Sequence, residues 1–251
     1  MSTQNEEQGF GEQKLIDHLG ALRKMLIHCI VAVTCFFPVG FLFAPHAINA
    51  LVSWSFPDGL GKLNYFAPME VLVIQLKFGA LLAIVMSFPY IMRRIWEFLL
   101  PALYENEKRI LQALIFASTL LFLSGVAFCV LLILPVVMKF SAGFSTPNIQ
   151  PMLGIGNFLN LCAMLALAFG IMFQVPLVVI IAVKMRLVSV EMLKNARPYI
   201  VVGILILAGI FSPPDIISQL TLAVPTYLLF EVGLVVAKLV EKTCIDSETA
   251  K

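Results

Sequence analysis

The sequence predicts an all-α polytopic membrane protein with six transmembrane helices and both termini in the cytoplasm. Three observations predict it. Of 251 residues, 60% are hydrophobic and only 13% are charged, against about 25% charged in soluble domains; this much apolar surface needs lipid as its solvent. The apolar residues gather in six stretches separated by five connections. The basic residues alternate between those connections. Lys14, Arg23 and Lys24 precede the first stretch, Arg93, Arg94, Lys108 and Arg109 fill the second connection, Lys184, Arg186, Lys194 and Arg197 the fourth, and Lys238, Lys242 and Lys251 the tail. These are fourteen of the seventeen Lys and Arg residues. Only Lys62 and Lys139 fall on the opposite side, and Lys77 lies within the second stretch. Basic residues on one face of the membrane mark that face as cytoplasmic.

The whole chain reads as a single integral membrane domain. Residues 1–24 form a cytoplasmic segment, polar and irregular at its extreme end. From Leu15 it turns amphipathic, with Leu15, Leu19, Leu22 and Leu26 at helical spacing, as expected of an interfacial helix. The spans cover about 25–43, 68–92, 110–138, 158–183, 198–211 and 216–237, and 238–251 is a cytoplasmic tail. The first is read as a retained span, because the polar lead before it exceeds a usual signal-peptide n-region. Residues 44–67, with Pro45, Pro57, Gly59 and Gly61, read as a loop carrying the interfacial aromatics Trp54 and Tyr65. Span 2 opens on Pro68, a favoured first-turn residue. Span 3 is long enough to tilt or project. Span 4 contains Pro176, where a helix break is expected. The fifth and sixth spans are short and joined by the tight turn Ser212-Pro213-Pro214-Asp215. Fourteen residues rise roughly 21 Å against a hydrocarbon core of about 30 Å. There the bilayer thins, flanking residues snorkel, or a partner covers that side.

Composition excludes several classes. A net charge of +2, with no basic stripe interleaved with aromatics, does not suit nucleic acid. The cysteines Cys29, Cys35, Cys129, Cys162 and Cys244 are odd in number and irregular in spacing, and read as small apolar core residues. No GxSxG, HExxH or metal-ligand spacing occurs, so no catalytic residue, metal or cofactor is expected. No internal repeat of the kind built into many transporters is visible.

The chemistry concentrates in the second connection, Arg93 to Arg109. It mixes aromatics, a proline break and the carboxylates Glu97, Glu105 and Glu107. Carboxylates beside apolar side chains suit a ligand that is cationic and then apolar, because arginine pairs bidentately with a carboxylate. An ordinary interfacial loop with local ion pairs has the same composition.

Within that connection, Trp96-Glu97-Phe98-Leu99-Leu100-Pro101-Ala102-Leu103-Tyr104-x-x-Glu107 resembles the first cytoplasmic loop of the TatC family. His18-Leu19-x-x-Leu22-Arg23 is similar to its amino-terminal motif, and Phe169-Gly170-x-x-Phe173-x-Val175-Pro176 to its fourth span. Arg197-Pro198-Tyr199 and Ser212-Pro213-Pro214-Asp215-x-x-Ser218-Gln219 resemble its fifth-span entry and last periplasmic turn. In order, from about residue 15 to 240, these motifs are specific together. The resemblance implies a receptor and core subunit of the twin-arginine translocase in the bacterial inner membrane. Such a protein binds twin-arginine signal peptides of folded precursors at its cytoplasmic face. It recruits single-span TatA-type and TatB-type subunits, self-associates in the complex, and works with the proton-motive force. By position, Glu107 is implied as the carboxylate for the signal's arginines. Phe98, Pro101, Leu103 and Tyr104 would shape the site, and His18, Leu22 and Arg23 would line its other half. Pro213, Pro214 and Asp215 would form the periplasmic turn.

Two positions depart from the family pattern. Ala21 stands where its amino-terminal motif usually carries a glutamate, and Gln174 where its fourth span often carries a carboxylate. Gln174 can hydrogen-bond to a partner helix, to an inserted signal or within the chain, but cannot carry charge. The other intramembrane polar residues, Glu231, Glu70 and Lys77, read as structural; Glu70 and Lys77 lie two turns apart, roughly 10 Å by rise, too far to pair. A solute transporter using Gln174, Glu231 and Lys77 is the competing reading. The missing repeats and the gathering of charge in the connections weigh against it.

Overall fold

The computed structural model describes residues 3–55, 68–99, 108–143, 154–211 and 216–249, apart from the side chains before His18 and a few near element ends. These residues are almost entirely helical, and among them there is no β-strand. The elements are α1 (Thr3–Ser55), α2 (Pro68–Leu99), α3 (Lys108–Phe128), a π-helical turn (Cys129–Ile133), α4 (Leu134–Ala142), α5 (Ile155–Met172), α6 (Val175–Lys184), α7 (Val190–Asn195), α8 (Arg197–Phe211) and α9 (Ile216–Thr249). Among the described residues, five apolar segments are long enough to cross a membrane: His18–Ser55, Met69–Leu99, Leu111–Lys139, Ile155–Lys184 and Gln219–Leu239. The sixth apolar helix, Arg197–Phe211, has fifteen residues.

Several boundaries differ from those expected of the sequence. The amino-terminal segment is helical from Thr3, and α1 continues through Pro38 and Pro45 to Ser55. Residues 44–55 are therefore helix rather than loop. Proline lacks an N–H, yet an apolar environment penalises any unravelled backbone more than one lost bond. The same reasoning explains why α2 carries Pro89 and α9 holds Pro225 within their apolar stretches; beyond those stretches α2 runs on to Leu99 and α9 to Thr249 through Arg, Lys and Glu residues that favour helix in water. The fourth apolar segment does break as Pro176 requires. Phe173 and Gln174 make the turn between α5 and α6, and Pro176 sits in the first turn of α6. The Gln174 carbonyl accepts from Val178 at 3.0 Å, restarting the helix.

The chain divides into two compact units. Unit 1 comprises Met1–Phe43 and Gly79–Thr119; unit 2 comprises Ala44–Phe78 and Leu120–Lys251. Within unit 1, α1 meets α2 at glycine: Gly40 abuts the Gly79 carbonyl and the Ala83 backbone. No side chain fits there, so the two backbones approach as in small-residue contacts between membrane helices.

Within unit 2, α9 packs chiefly on α6. Val179, Val183, Val190, Phe230, Leu234 and Ala237 form a buried cluster there. A Cβ on Gly233 would lie 2.7 Å from Pro176 Cα, closer than carbon atoms tolerate. Phe128 stacks in tilted fashion on both Phe169 and Phe173, with ring centroids 5.7 and 5.5 Å apart. Cys129 and Cys162 are buried as expected of small apolar residues, whereas Cys29 is half-buried and Cys35 exposed. α7 begins on Ser189, whose hydroxyl accepts from the Met192 N–H at 3.1 Å, an N-cap that satisfies one of the helix's open donors.

Candidate functional site

The motif of the second connection begins on the last turn of α2, inside unit 1. Successive helical residues point about 100° apart, so Trp96, Glu97 and Phe98 face three ways. Trp96 points inward: it is 5% exposed, and its Nε1–H donates to Ser118 Oγ on α3 at 2.9 Å. Phe98 turns to α1, where its ring stacks on His18 with centroids 4.6 Å apart and planes at 27°. This stack brings together the amino-terminal motif and the loop motif, which are remote in sequence. His18 and Arg23 are exposed and Leu22 half-buried. Leu19 and Leu26 are also about half exposed, so the amphipathic stripe of α1 presents apolar surface outward.

Glu97 faces its own helix. Its Oε1 accepts from Arg93 Nε at 2.9 Å and its Oε2 from Arg94 Nη1 at 3.0 Å. Arg94 is held further by the Tyr90 hydroxyl, which accepts from Nε at 3.1 Å and Nη2 at 3.0 Å. Its guanidinium also lies 5.2 Å from the Tyr90 ring centroid, within cation–π range. The i, i+3 and i, i+4 spacings, Tyr90 to Arg94 included, are legible in the sequence; the Trp96–Ser118 bond joins different helices and carries no sequence signal. Pro101, Leu103, Tyr104 and Glu107, and the turn residues Pro213, Pro214 and Asp215, lie outside the described residues.

The intramembrane polar residues all belong to unit 2, each in its own setting. Glu70 accepts from the Gly156 backbone N–H at 3.0 Å, at the start of α5. Lys77 donates to Asn160 Oδ1 at 3.0 Å, one turn further along α5. Glu70 and Lys77, two turns apart on α2, thus bond to successive turns of α5. Glu231 joins the first turn of α8 to α9: it accepts from Arg197 Nη2 at 2.8 Å and from the Tyr227 hydroxyl at 2.8 Å. The sequence marks Arg197 only as a topology-setting cation; its pair with Glu231, 34 residues away on another helix, carries no sequence signal. Gln174 is half-buried at the α5–α6 junction. Gln219 donates from Nε2 to the Leu205 carbonyl at 2.9 Å, bridging α9 to α8.

The family model of the Sec-independent protein translocase protein TatC matches residues 17–225. A TatC of Haemophilus influenzae is 35% identical over 243 residues, covering 95% of this chain and 93% of the relative. A TatC of Escherichia coli K12 is 34% identical over 231 residues, with 88% and 87% covered. Among solved structures, the crystal structure of the twin-arginine translocase receptor TatC superposes with a TM-score of 0.81 at 31% identity. That match covers 88% of this chain and 98% of the other.

Proposed function

This chain belongs to the TatC family of Sec-independent protein translocase proteins, and from that premise we propose that it receives twin-arginine signal peptides at the cytoplasmic face of a bacterial inner membrane. It is a multi-pass helical membrane protein. In this reading it has six spans, with both termini in the cytoplasm, and it binds and scaffolds rather than catalyses. The observation that carries the reading is the His18–Phe98 stack. It unites the two segments whose motifs resemble the family's recognition surface. An aromatic floor at a membrane interface, with a carboxylate beside it, suits a ligand whose guanidinium pair is followed by apolar residues.

In this arrangement Glu107 takes a signal arginine, while Phe98, Pro101, Leu103 and Tyr104 shape the pocket beside His18, Leu22 and Arg23. The turn of Pro213, Pro214 and Asp215 faces the periplasm. The exposed apolar faces of α8 and α9, including Val202, Ile206, Ile210, Val224 and Leu228, receive lipid or the single-span TatA-type and TatB-type subunits. Self-association and coupling to the proton-motive force follow from the same family reading. Glu107→Ala is expected to reduce photocrosslinking of a twin-arginine precursor to a probe at Phe98 at least severalfold, with membrane insertion intact. Equal crosslinking in mutant and parent would refute the assignment.

A further inference from the structure

We infer that Lys77 and Asn160 form a docking point for the phosphate of an anionic phospholipid, in the leaflet opposite Lys184. The pair lies outside the proposed signal site, and its role requires only that the chain spans a membrane. Its balance of donors and acceptors points to an anion. Lys77 donates to Asn160 Oδ1 at 3.0 Å. An ammonium has donors and no acceptor, and an amide nitrogen also only donates. The bond between them therefore engages the amide oxygen and leaves ammonium and amide N–H groups open, with a positive charge. Both residues are exposed. Among the described residues the partner of Lys77 is this neutral amide; Glu70, two turns away on α2, accepts from the Gly156 N–H at 3.0 Å. Open donors in apolar surroundings are costly, so the matching ligand brings acceptor oxygens and negative charge.

Depth gives the class of anion. Lys184 is exposed at the end of α6. Between it and Asn160, α5 and α6 supply roughly 36 Å of helical rise, against a hydrocarbon core of about 30 Å. With Lys184 at one boundary of the core, Asn160 and Lys77 reach the other, at the level of lipid phosphates. A lysine in the middle of the core would be costly. At the edge its stem stays among apolar groups while its head meets the headgroup layer.

A track for the acyl chain leads away from this point. Asn160, Met164, Leu167 and Ile171 recur at i, i+4, i+7 and i+11 on one face of α5. Met164 and Ile171 are exposed and Leu167 is half-buried. From Asn160 to Ile171 the face rises roughly 16 Å toward Lys184, matching one leaflet's share of the core, about 15 Å. A soluble anion would leave this apolar face bare, whereas a lipid fills the polar point and the track together. A zwitterionic headgroup carries its own cation beside the phosphate. An anionic one does not, so the ammonium favours it.

The test places a benzophenone side chain at position 164 of the full chain, in nanodiscs of equal parts phosphatidylcholine and phosphatidylglycerol. Photo-adducts are read by mass. Phosphatidylglycerol adducts are expected in about fivefold excess, the preference set by one lysine near a membrane surface. Lys77→Met should abolish that excess. Asn160→Ala should lower it about twofold, as for one lost hydrogen bond. Lys139→Met, which removes an exposed cation from another helix, should leave it unchanged. An equal loss in Lys139→Met would mean general attraction of anionic lipid and would overturn the docking point. So would adducts without headgroup preference in the parent. Suppression of the adducts by millimolar inorganic phosphate would give the point to a soluble anion, and adducts to a second copy of the chain in place of lipid would give it to a protein; either overturns the lipid assignment. Should Lys77→Met fail to insert, Lys77→Gln serves in its place, and an excess that survives it counts against the assignment.

Discussion

At the end of α2, Trp96, Arg94 and Glu97 are held by hydrogen bonds and ion pairs to named polar partners, whereas α6 and α9 meet through Gly233, Pro176 and a cluster of Val, Leu and Phe. α1 leaves Ile30, Leu42 and Phe43 exposed, whereas Leu165, Ala168 and Phe169 of α5 are buried. Lipid tails are as apolar as leucine, so burial alone cannot drive helices together in a membrane. The α6–α9 seam gains its cohesion from shape, with backbone pressed on backbone and dispersion contacts at close range. The polar cluster of unit 1 gains definition from directional bonds, which hold side chains in place where the helix surface stays open. The first kind of contact suits a scaffold, and the second suits a place where a charged ligand is read.

That contrast can be broken most sharply at Gly233. Gly233→Val places atoms against Pro176 Cα, where 2.7 Å is available to a Cβ, and should cost about 3 kcal/mol through overpacking. Gly203→Ala is the control, because nothing lies within 4 Å of that position and alanine is the better helix former; it should cause no loss. Thermal unfolding in detergent reads both. If the two variants melted alike, the close α6–α9 contact would not be what holds unit 2. A smaller effect is expected from Trp96→Phe, which removes the indole donor to Ser118 while keeping an aromatic ring. It should cost about 1 kcal/mol and lower signal crosslinking at Phe98, since the turn that carries Phe98 loses an anchor. An unfolding midpoint and crosslink yield equal to the parent would show that packing alone places this turn. The smallest effect belongs to Lys77→Met. Its bond to Asn160 lies at an exposed position, so stability should change by less than about 0.5 kcal/mol. A larger loss would reveal a polar tie as strong as the glycine contact.

The all-α membrane class was legible because apolar run length is a local property of the chain. Helix ends were less so. Pro45 looks like a terminator by propensity and the charges at 93–97 mark an edge of the apolar stretch, yet α1 and α2 pass through them: an apolar surrounding raises the cost of open backbone at Pro45, and Arg and Glu favour helix beyond it. Pro176 did mark a break, and there the turn at Phe173 and Gln174 supplies a continuing hydrogen-bond path. Of the site, the Arg93–Glu97 and Arg94–Glu97 pairs follow from helical spacing alone. The Trp96–Ser118 bond and the Arg197–Glu231 pair join different helices. They depend on which helix faces which, information that no single stretch of sequence contains.

The π-helical turn at Cys129–Ile133 has a consequence for the rod that contains it. One surplus residue advances the angular phase of everything beyond it. Before it Phe122 is buried, Cys129 and Ile133 are buried at its two ends, and Leu134 is buried directly after it, where an uninterrupted α-stripe would turn the next residue away. Residues 108–142 therefore behave as two dials on one axle, each set to its own bearing. Substitutions that rotate the far dial need not disturb the setting of the near one.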